Sequence, residues 1–197
     1  MNERTTQRIH PARFDAKTRA VQTETWFQWF QLPISLRELW QQNPASRHPY
    51  HGQHHLQTVA LLTVDASRFY YHLPEPTQKA LFVAGLFHDY GYQLSDDETT
   101  NIRRAKNTIL GYLPQSEIAA VSDLIEATFY PHKTPKHHPA AIIQDANSLQ
   151  LITPDYDRFL KGLQAEGHVE VNPKFPGENH LTTTWAKDLY RDHIFSR

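Results

Sequence analysis

The chain has no cysteine among its 197 residues, which excludes disulfide bonds and thiolate metal sites. Any metal site must therefore use histidine and carboxylate side chains. The chain also lacks a surplus of charge, because 20 Lys and Arg against 21 Asp and Glu leave a net charge of -1. A general nucleic-acid binder usually carries a basic surplus, so we do not expect that function. No apolar run reaches transmembrane length and no apolar signal core opens the chain, so we expect no membrane contact and a cytoplasmic location.

Helical patterns dominate what is present. Amphipathic stretches recur along the chain, and we find no strand pair, internal repeat or low-complexity tract. The sequence therefore predicts an all-α fold. Its length predicts one domain over residues 1–197. We divide it into N-terminal helices (1–46, with an irregular arm over about 1–20), a core (about 47–150) and C-terminal helices with a loop at 167–181 (151–197).

Local residue patterns predict where the helices start and end. A helix is expected over residues 20–30, and Ser35 is expected to cap the next one in a capping box with Glu38. Ser116 is expected to cap a helix that runs to Tyr130. Further helices are predicted over 140–152, 156–163 and 184–195, and the helix that follows His51 is expected to run to about Tyr71.

The most informative stretch is Leu81 to Tyr92, where an apolar run ends in His88 and Asp89. Leu81, Ala84 and His88 follow the spacing of one helical face. An imidazole beside a carboxylate at the inner end of a buried helix is costly unless a partner compensates both, and a divalent cation does so. The alternative is an ordinary helix end, with His88 favoured by the helix dipole and Gly91 stopping the helix.

Two further groups share this setting on apolar helices. His55 opens one apolar helix and Asp145 lies within the apolar stripe of another. With His88 and Asp89 they make two histidines and two carboxylates, a set suited to Mn, Fe, Co, Ni, Zn or Mg. Composition alone does not choose among these metals. His51 stands four residues before His55 and faces the same way if the helix has begun by His51.

The order H…HD…D on successive helices resembles the HD-domain superfamily of metal-dependent phosphohydrolases. Residues 50–55 look like the tyrosine-led HNxxH segment of cyclic-nucleotide phosphodiesterases and of small bacterial predicted HD phosphohydrolases, with Gly52 in place of Asn. Residues 87–92, followed by Asp97 and Glu98, are similar to the FHD…Y…NE pattern of the small bacterial group. Residues 126–132 and 142–146 resemble its AT…H and LL-D-AD segments. The resemblance covers roughly residues 47 to 150.

The resemblance implies an HD-domain-like helical bundle with a divalent metal ion in its core. His55, His88, Asp89 and Asp145 would bind the ion, and Asp89 would also orient the attacking water. His51 matches the position that protonates a leaving oxygen in the phosphodiesterases, or else it supports the site structurally. The 5′-nucleotidase branch has a Glu where this chain has Tyr92, so Glu98, or water activated by the ion alone, would have to supply the base.

The loop from Pro131 to Pro139 is rich in histidine and proline. Its His132 is expected to approach the metal centre as a second-metal ligand or phosphate contact, and His137 and His138 have weaker claims. The alternative is a solvated loop that happens to contain histidine. Candidate phosphate-binding cations are Arg47, Lys133 and Lys136.

Three functions are compatible with these features. The first is a metal-dependent phosphomonoesterase or phosphodiesterase acting on a nucleotide or another small phosphoester. The second is a di-iron HD-type oxygenase, which would need at least two more histidine ligands from the His132 region. The third is a catalytically silent HD domain used for ligand binding or regulation, against which the full ligand set argues. Substrate, metal and oligomeric state, including a homo-oligomer, stay open.

Overall fold

The computed structural model describes residues 15–149, 156–167 and 177–195, and within these ranges it contains helices and no strand. The all-α prediction is confirmed. The predicted N-terminal arm over its first 14 residues, most of the 167–181 loop and the predicted end of a helix at Ile152 lie outside the described residues. The α-helices are α1 (Ala16–Trp29), α2 (Ile34–Gln41), α3 (Gln53–Val64), α4 (Glu75–Phe87), α5 (Glu98–Ile109), α6 (Gln115–Ala127), α7 (His138–Leu149), α8 (Tyr156–Ala165) and α9 (Thr184–Phe195).

Aspartate side chains cap two of these helices. Asp15 accepts the Thr18 N–H at 2.6 Å before α1, and Asp97 accepts the Thr100 N–H at 2.7 Å before α5. The predicted caps Ser35 and Ser116 are wrong. Prolines take the N-cap positions of α2 and α6, and the helices begin directly after them. Proline has a fixed φ and no N–H to leave unpaired, so a helix can begin directly after it. Each predicted serine therefore lies inside the first turn and not at the N-cap.

Helices α3 and α4 form the centre of the molecule. Almost every residue of α3 from His55 onward is buried, and so is the second half of α4. They touch at Gly85, where an added Cβ would lie 2.6 Å from the Ala60 Cα. Because this glycine has no side chain, the two backbones meet at a distance that other residues would prevent. This close approach brings the start of α3 next to the end of α4.

A π-helix from Asp65 to Tyr70 continues α3. The helix predicted to run to about Tyr71 is therefore present, but its last part is π-helical and not α-helical. The buried Asp65 carboxylate accepts the Trp185 indole N–H at 2.8 Å, and the Tyr71 hydroxyl accepts the Trp185 backbone N–H at 3.1 Å. These bonds fasten α9 to the far end of α3. The main core contains residues of α1 to α7 and α9.

Helix α8 packs on the turn that precedes α3. Phe159 and Tyr50 form a small apolar cluster with Leu163, separate from the main core. At Gly162 an added Cβ would lie 2.7 Å from the Pro49 carbonyl oxygen, so the helix backbone rests on this turn. The C-terminal end of α8 is thereby brought to residues 50 and 51.

Among the helices of the described ranges, none combines the length and the apolar character needed to cross a bilayer. The prediction of one domain over residues 1–197 stays a prediction.

Candidate metal centre

Three side chains converge where the start of α3 meets the end of α4. Nε2 of His55 lies 2.9 Å from Nε2 of His88 and 3.0 Å from Oδ2 of Asp89. The third side of this triangle, from His88 Nε2 to Asp89 Oδ2, measures 3.1 Å. All three residues are buried, with Asp89 the most accessible at 8% exposure. Within the described residues this is the one group of three or more such side chains that could hold a metal ion.

The triangle has the size that a bound ion requires. Ligand atoms that bind one ion at about 2.1 Å and at right angles lie about 3.0 Å apart, whereas tetrahedral angles place them about 3.4 Å apart. The observed edges of 2.9, 3.0 and 3.1 Å are close to these separations. Two imidazoles and one carboxylate can therefore all reach one divalent ion.

The backbone of α4 fixes the tautomer of His88. Its Nδ1 lies 3.0 Å from the Gly85 carbonyl oxygen, which can only accept a hydrogen bond. Nδ1 must therefore carry the proton, and in the neutral ring Nε2 presents a lone pair to the triangle. A histidine ligand whose second nitrogen donates to a carbonyl is the usual arrangement at metal sites in proteins.

Burial and the negative charge of Asp89 have opposite effects on the pKa values of the two histidines in this cluster. Burial lowers the pKa of His55, and the hydrogen bond to Asp89 offsets this only in part. Burial also disfavours a charged His88, but the Asp89 carboxylate and the Gly85 carbonyl outweigh it and raise the pKa of His88. Burial alone would raise the pKa of Asp89, yet the His88 charge and the bonds from both imidazoles hold it well below its usual value. Without a bound ion, a proton on His88 balances Asp89.

Asp145, the fourth predicted ligand, is not part of the converging group. Its carboxylate oxygens accept the backbone N–H of Thr182 at 3.0 and 3.2 Å and that of Thr183 at 2.7 Å. Burial raises the pKa of Asp145, although these N–H groups oppose the rise. Asp145 therefore anchors the chain entering α9 to α7, and its contact with an ion stays a prediction.

His51 forms a second ionisable unit beside the triangle. Its Nδ1 lies 2.5 Å from Oε2 of Glu166, whose side chain is only 1% exposed. The other oxygen of Glu166 accepts the backbone N–H groups of Tyr50 at 2.6 Å and His51 at 3.2 Å. Burial would raise the pKa of Glu166, but His51 and these N–H groups lower it, so the carboxylate is ionised. The His51 ring lies 6.0 Å from that of His55, which places the pair next to the candidate ligands.

Tyr92 covers the other side of this pair. Its ring stacks on that of His51 with centroids 3.7 Å apart and an interplanar angle of 8°. Burial raises the pKa of Tyr92, and the nearby charges of Asp89, Glu98 and Glu166 add to the rise, so the phenol keeps its proton. The stacked ring and the Glu166 carboxylate together hold the imidazole in one plane.

Glu166 was not predicted from the sequence. It stands 115 residues after His51 and directly before Gly167, whose φ of +88° is typical of a helix end. That local pattern signals the end of α8 and nothing more. The partnership with His51 depends on how α8 packs against Pro49, which no sequence pattern here indicates.

Glu98 lies close enough to the triangle for the Asp89 charge to act on it. Burial raises the pKa of Glu98, and the negative charge of Asp89 raises it further. The Tyr130 backbone N–H donates to its Oε1 at 3.4 Å and opposes this rise only weakly. A carboxylate with a raised pKa is better suited to accept a proton, and the role of Glu98 as a base stays a prediction.

His132 points toward α7 and is half-buried. Its Nδ1 donates to the Phe129 carbonyl at 3.2 Å, and its Nε2 lies 3.4 Å from the Ser148 hydroxyl, one turn beyond Asp145. Burial lowers the pKa of His132, and the Asp145 charge opposes this. The ring is thus directed into the protein beside Asp145, outside the group of three. Its contact with an ion stays a prediction.

The remaining loop histidines have structural contacts. Nε2 of His137 lies 2.5 Å from the Asp123 carboxylate, and its Nδ1 accepts the Ala140 N–H at 3.1 Å, which caps the first turn of α7. The ring of His138 packs against Tyr71 with centroids 4.4 Å apart.

The predicted phosphate-binding cations are exposed. Arg47 ends a 3-10 helix at Pro44–Arg47, ahead of His51. Lys133 lies over the Phe129 ring at 5.2 Å, and Lys136 lies 3.4 Å from an Asp123 oxygen. Both lysines line a cavity that none of the three converging side chains lines. Phosphate contact by any of the three stays a prediction.

Comparison of the chain with the models of known protein families gives no match, and comparisons with curated proteins and with solved structures give none either. The case for a function therefore rests on the chemistry of these side chains.

Proposed function

We propose that the protein is a metal-dependent phosphohydrolase acting on a nucleotide or another small phosphoester. The observation that carries this proposal is the placement of a hydrogen-bonded His51–Glu166 pair beside a buried group of two imidazoles and one carboxylate. Breaking a phosphoester needs charge neutralisation at phosphorus and a proton for the leaving oxygen. The two units are suited to these two tasks.

His55, His88 and Asp89 would hold the ion. A divalent ion bound there would neutralise charge on the phosphate oxygens and lower the pKa of a water molecule. Two imidazoles and one carboxylate suit Mn, Fe, Co, Ni or Zn, and the two imidazoles make Mg a poorer match. Elemental analysis of the purified protein tests this choice directly.

The protein side chains would move the protons. Oε2 of Glu166 binds Nδ1 of His51, so the proton to be transferred is the one at Nε2, on the opposite edge of the ring. As the water oxygen bonds to phosphorus and the ester P–O bond breaks, this proton passes to the leaving oxygen. Glu98 accepts the proton that the water loses, and its return to His51 restores the starting state. The Glu166 carboxylate stabilises the imidazolium before transfer.

Rates measured for a leaving-group series test this assignment. His51→Ala should slow esters with poor leaving groups by about 10²–10⁴-fold, the usual scale of general acid catalysis, and aryl phosphates with good leaving groups much less. Glu166→Gln should act in the same direction, because a neutral amide cannot stabilise the imidazolium. His137→Ala is the matched control, since this exposed histidine contacts Asp123 away from the triangle. Metal content should stay unchanged in all three variants.

Two results would count against the proposal. An equal loss on both classes of ester would leave His51 as structural support. If the metal-loaded wild-type protein hydrolyses no phosphoester in a panel with Mn, Fe, Co, Ni, Zn and Mg, the proposed function is wrong.

A further inference from the structure

A cavity of about 430 Å³ opens between α5, α6, the segment 128–137 and the start of α7. One face of α5 forms a wall with Thr99, Ile102, Arg103 and Lys106, which follow helical spacing. This volume lies in the range of pockets that enclose small organic ligands.

The floor of the cavity is apolar. Ile102 and Ala140 are buried, and Ala127 and Phe129 are half-buried beside them. Apolar surface of this kind is stabilised when the ring of a ligand covers it and removes it from water.

The rim carries more positive than negative charge. Four cations and two carboxylates line the cavity, and each carboxylate is already paired: Lys106 with Glu126 at 2.8 Å and Lys136 with Asp123 at 3.4 Å. Arg103 and Lys133 remain, and within the described residues neither forms an ion pair with a carboxylate. They approach the cavity from α5 and from the 128–137 segment, and together they match the two charges of a phosphate dianion.

The wall that carries Lys133 is held in place. The Gln144 side-chain amide donates to the Ala127 carbonyl at 3.0 Å and to the Lys133 carbonyl at 3.1 Å. These bonds join the segment 128–137 to α6 and α7. A ligand would therefore meet a formed wall and would lose little affinity in ordering it.

The cavity and the candidate metal centre are formed by different helices, α5 to α7 for the cavity and α3 and α4 for the centre. The two come nearest in sequence on α5, where Thr99 lines the cavity and follows Glu98, whose pKa the Asp89 charge raises in addition to burial. Neighbouring residues of an α-helix point about 100° apart. His55, His88 and Asp89 are not among the lining residues.

We propose that this cavity is a second binding site, separate from the metal centre, for a small organic phosphate that carries a flat ring. The phosphate binds between Arg103 and Lys133, and the ring rests on the apolar floor at Ile102 and Ala127. This site does not depend on the proposed hydrolase function.

Calorimetric titration of AMP tests the proposal, with adenosine and inorganic phosphate as partial ligands. Asp89→Ala protein serves as the background, which removes the metal centre as a competing site, and chelator-treated wild type replaces it if that variant does not fold. Arg103→Gln and Lys133→Gln should each weaken AMP binding about 10- to 100-fold, the range for a charged hydrogen bond. Lys161→Gln is the matched control, because this exposed lysine on α8 is outside the cavity.

AMP should bind more tightly than either partial ligand. The proposal is wrong if AMP does not bind, or if both cavity variants bind it as tightly as Lys161→Gln does. Inorganic phosphate that binds as tightly as AMP would also overturn it, since the apolar floor would then contribute nothing.

Discussion

Gly85→Ala should damage both the fold and the metal centre, because this residue sets the distance between the two central helices. An added Cβ would lie 2.6 Å from the Ala60 Cα and 2.8 Å from the Ala60 backbone nitrogen. Carbon atoms in favourable contact are about 3.5–4.0 Å apart, so α3 and α4 would have to separate by about 1 Å. Backbone atoms cannot rotate away as the end of a flexible side chain does.

The size of the effect follows from these distances. Overpacking of this kind costs about 1–3 kcal/mol, while alanine in place of a helical glycine returns about 0.5–1 kcal/mol, so we expect a net loss of up to about 2.5 kcal/mol. The same separation would widen the 2.9 Å distance between His55 and His88. Since ligand positions tolerate only about 0.2 Å, metal affinity should fall at least about tenfold.

Urea denaturation and metal titration against a competing chelator measure the two effects. Gly111→Ala is the control, because an added Cβ there meets nothing within 4 Å. It should leave stability and metal affinity unchanged or raise stability slightly. If Gly85→Ala matches Gly111→Ala in both measurements, the close contact of α3 and α4 does not determine the geometry of the site.

Three further predictions concern the centre and its surroundings. Asp89→Ala should abolish stoichiometric metal in elemental analysis after dialysis, and metal retained at the native ratio would mean that the ligands are misassigned. Metal affinity should fall as the pH drops through the raised pKa of His88, because a proton then competes with the ion for Nε2. In the metal-free protein the same proton stabilises the fold, and this stabilisation is lost as the pH rises through that pKa. Affinity that is constant between about pH 8 and 5 in calorimetry would contradict this. Asp145→Ala should lower the free energy of unfolding by about 1–3 kcal/mol in urea, because buried N–H groups lose their acceptor, and an unchanged value would remove its role as an anchor.

Local patterns in the sequence were sufficient for the helices and for part of the centre. An apolar run that ends in His88 and Asp89 indicated a buried site, and the structure places His55 against them. The last helix has the predicted bounds, Thr184–Phe195, because its amphipathic pattern is regular. The helix bounds and the end of the apolar run depend on residues within a few turns of one another, whereas the contact of His55 with His88 depends on the packing of α3 on α4.

Long-range contacts account for what the sequence did not predict. Asp145 stands out in the sequence as an acid in an apolar stripe, but its acceptance of N–H groups from Thr182 and Thr183 depends on where the chain returns before α9. Glu166 gave no signal at all, since its partner lies on the other side of a packed interface. A short-range pattern identifies which side chains need compensation, and the tertiary packing decides which group supplies it.

The long separation of His51 from Glu166 also fixes an order of events during translation. The two residues are 115 positions apart, and at about 5–20 residues per second the ribosome needs roughly 6 to 23 s to synthesise the intervening chain. His55, His88 and Asp89 emerge well before Glu166 does. A nascent chain would therefore possess the side chains of the proposed metal centre before His51 gained its carboxylate partner, so under the proposed function the ability to take up an ion would precede the ability to donate a proton.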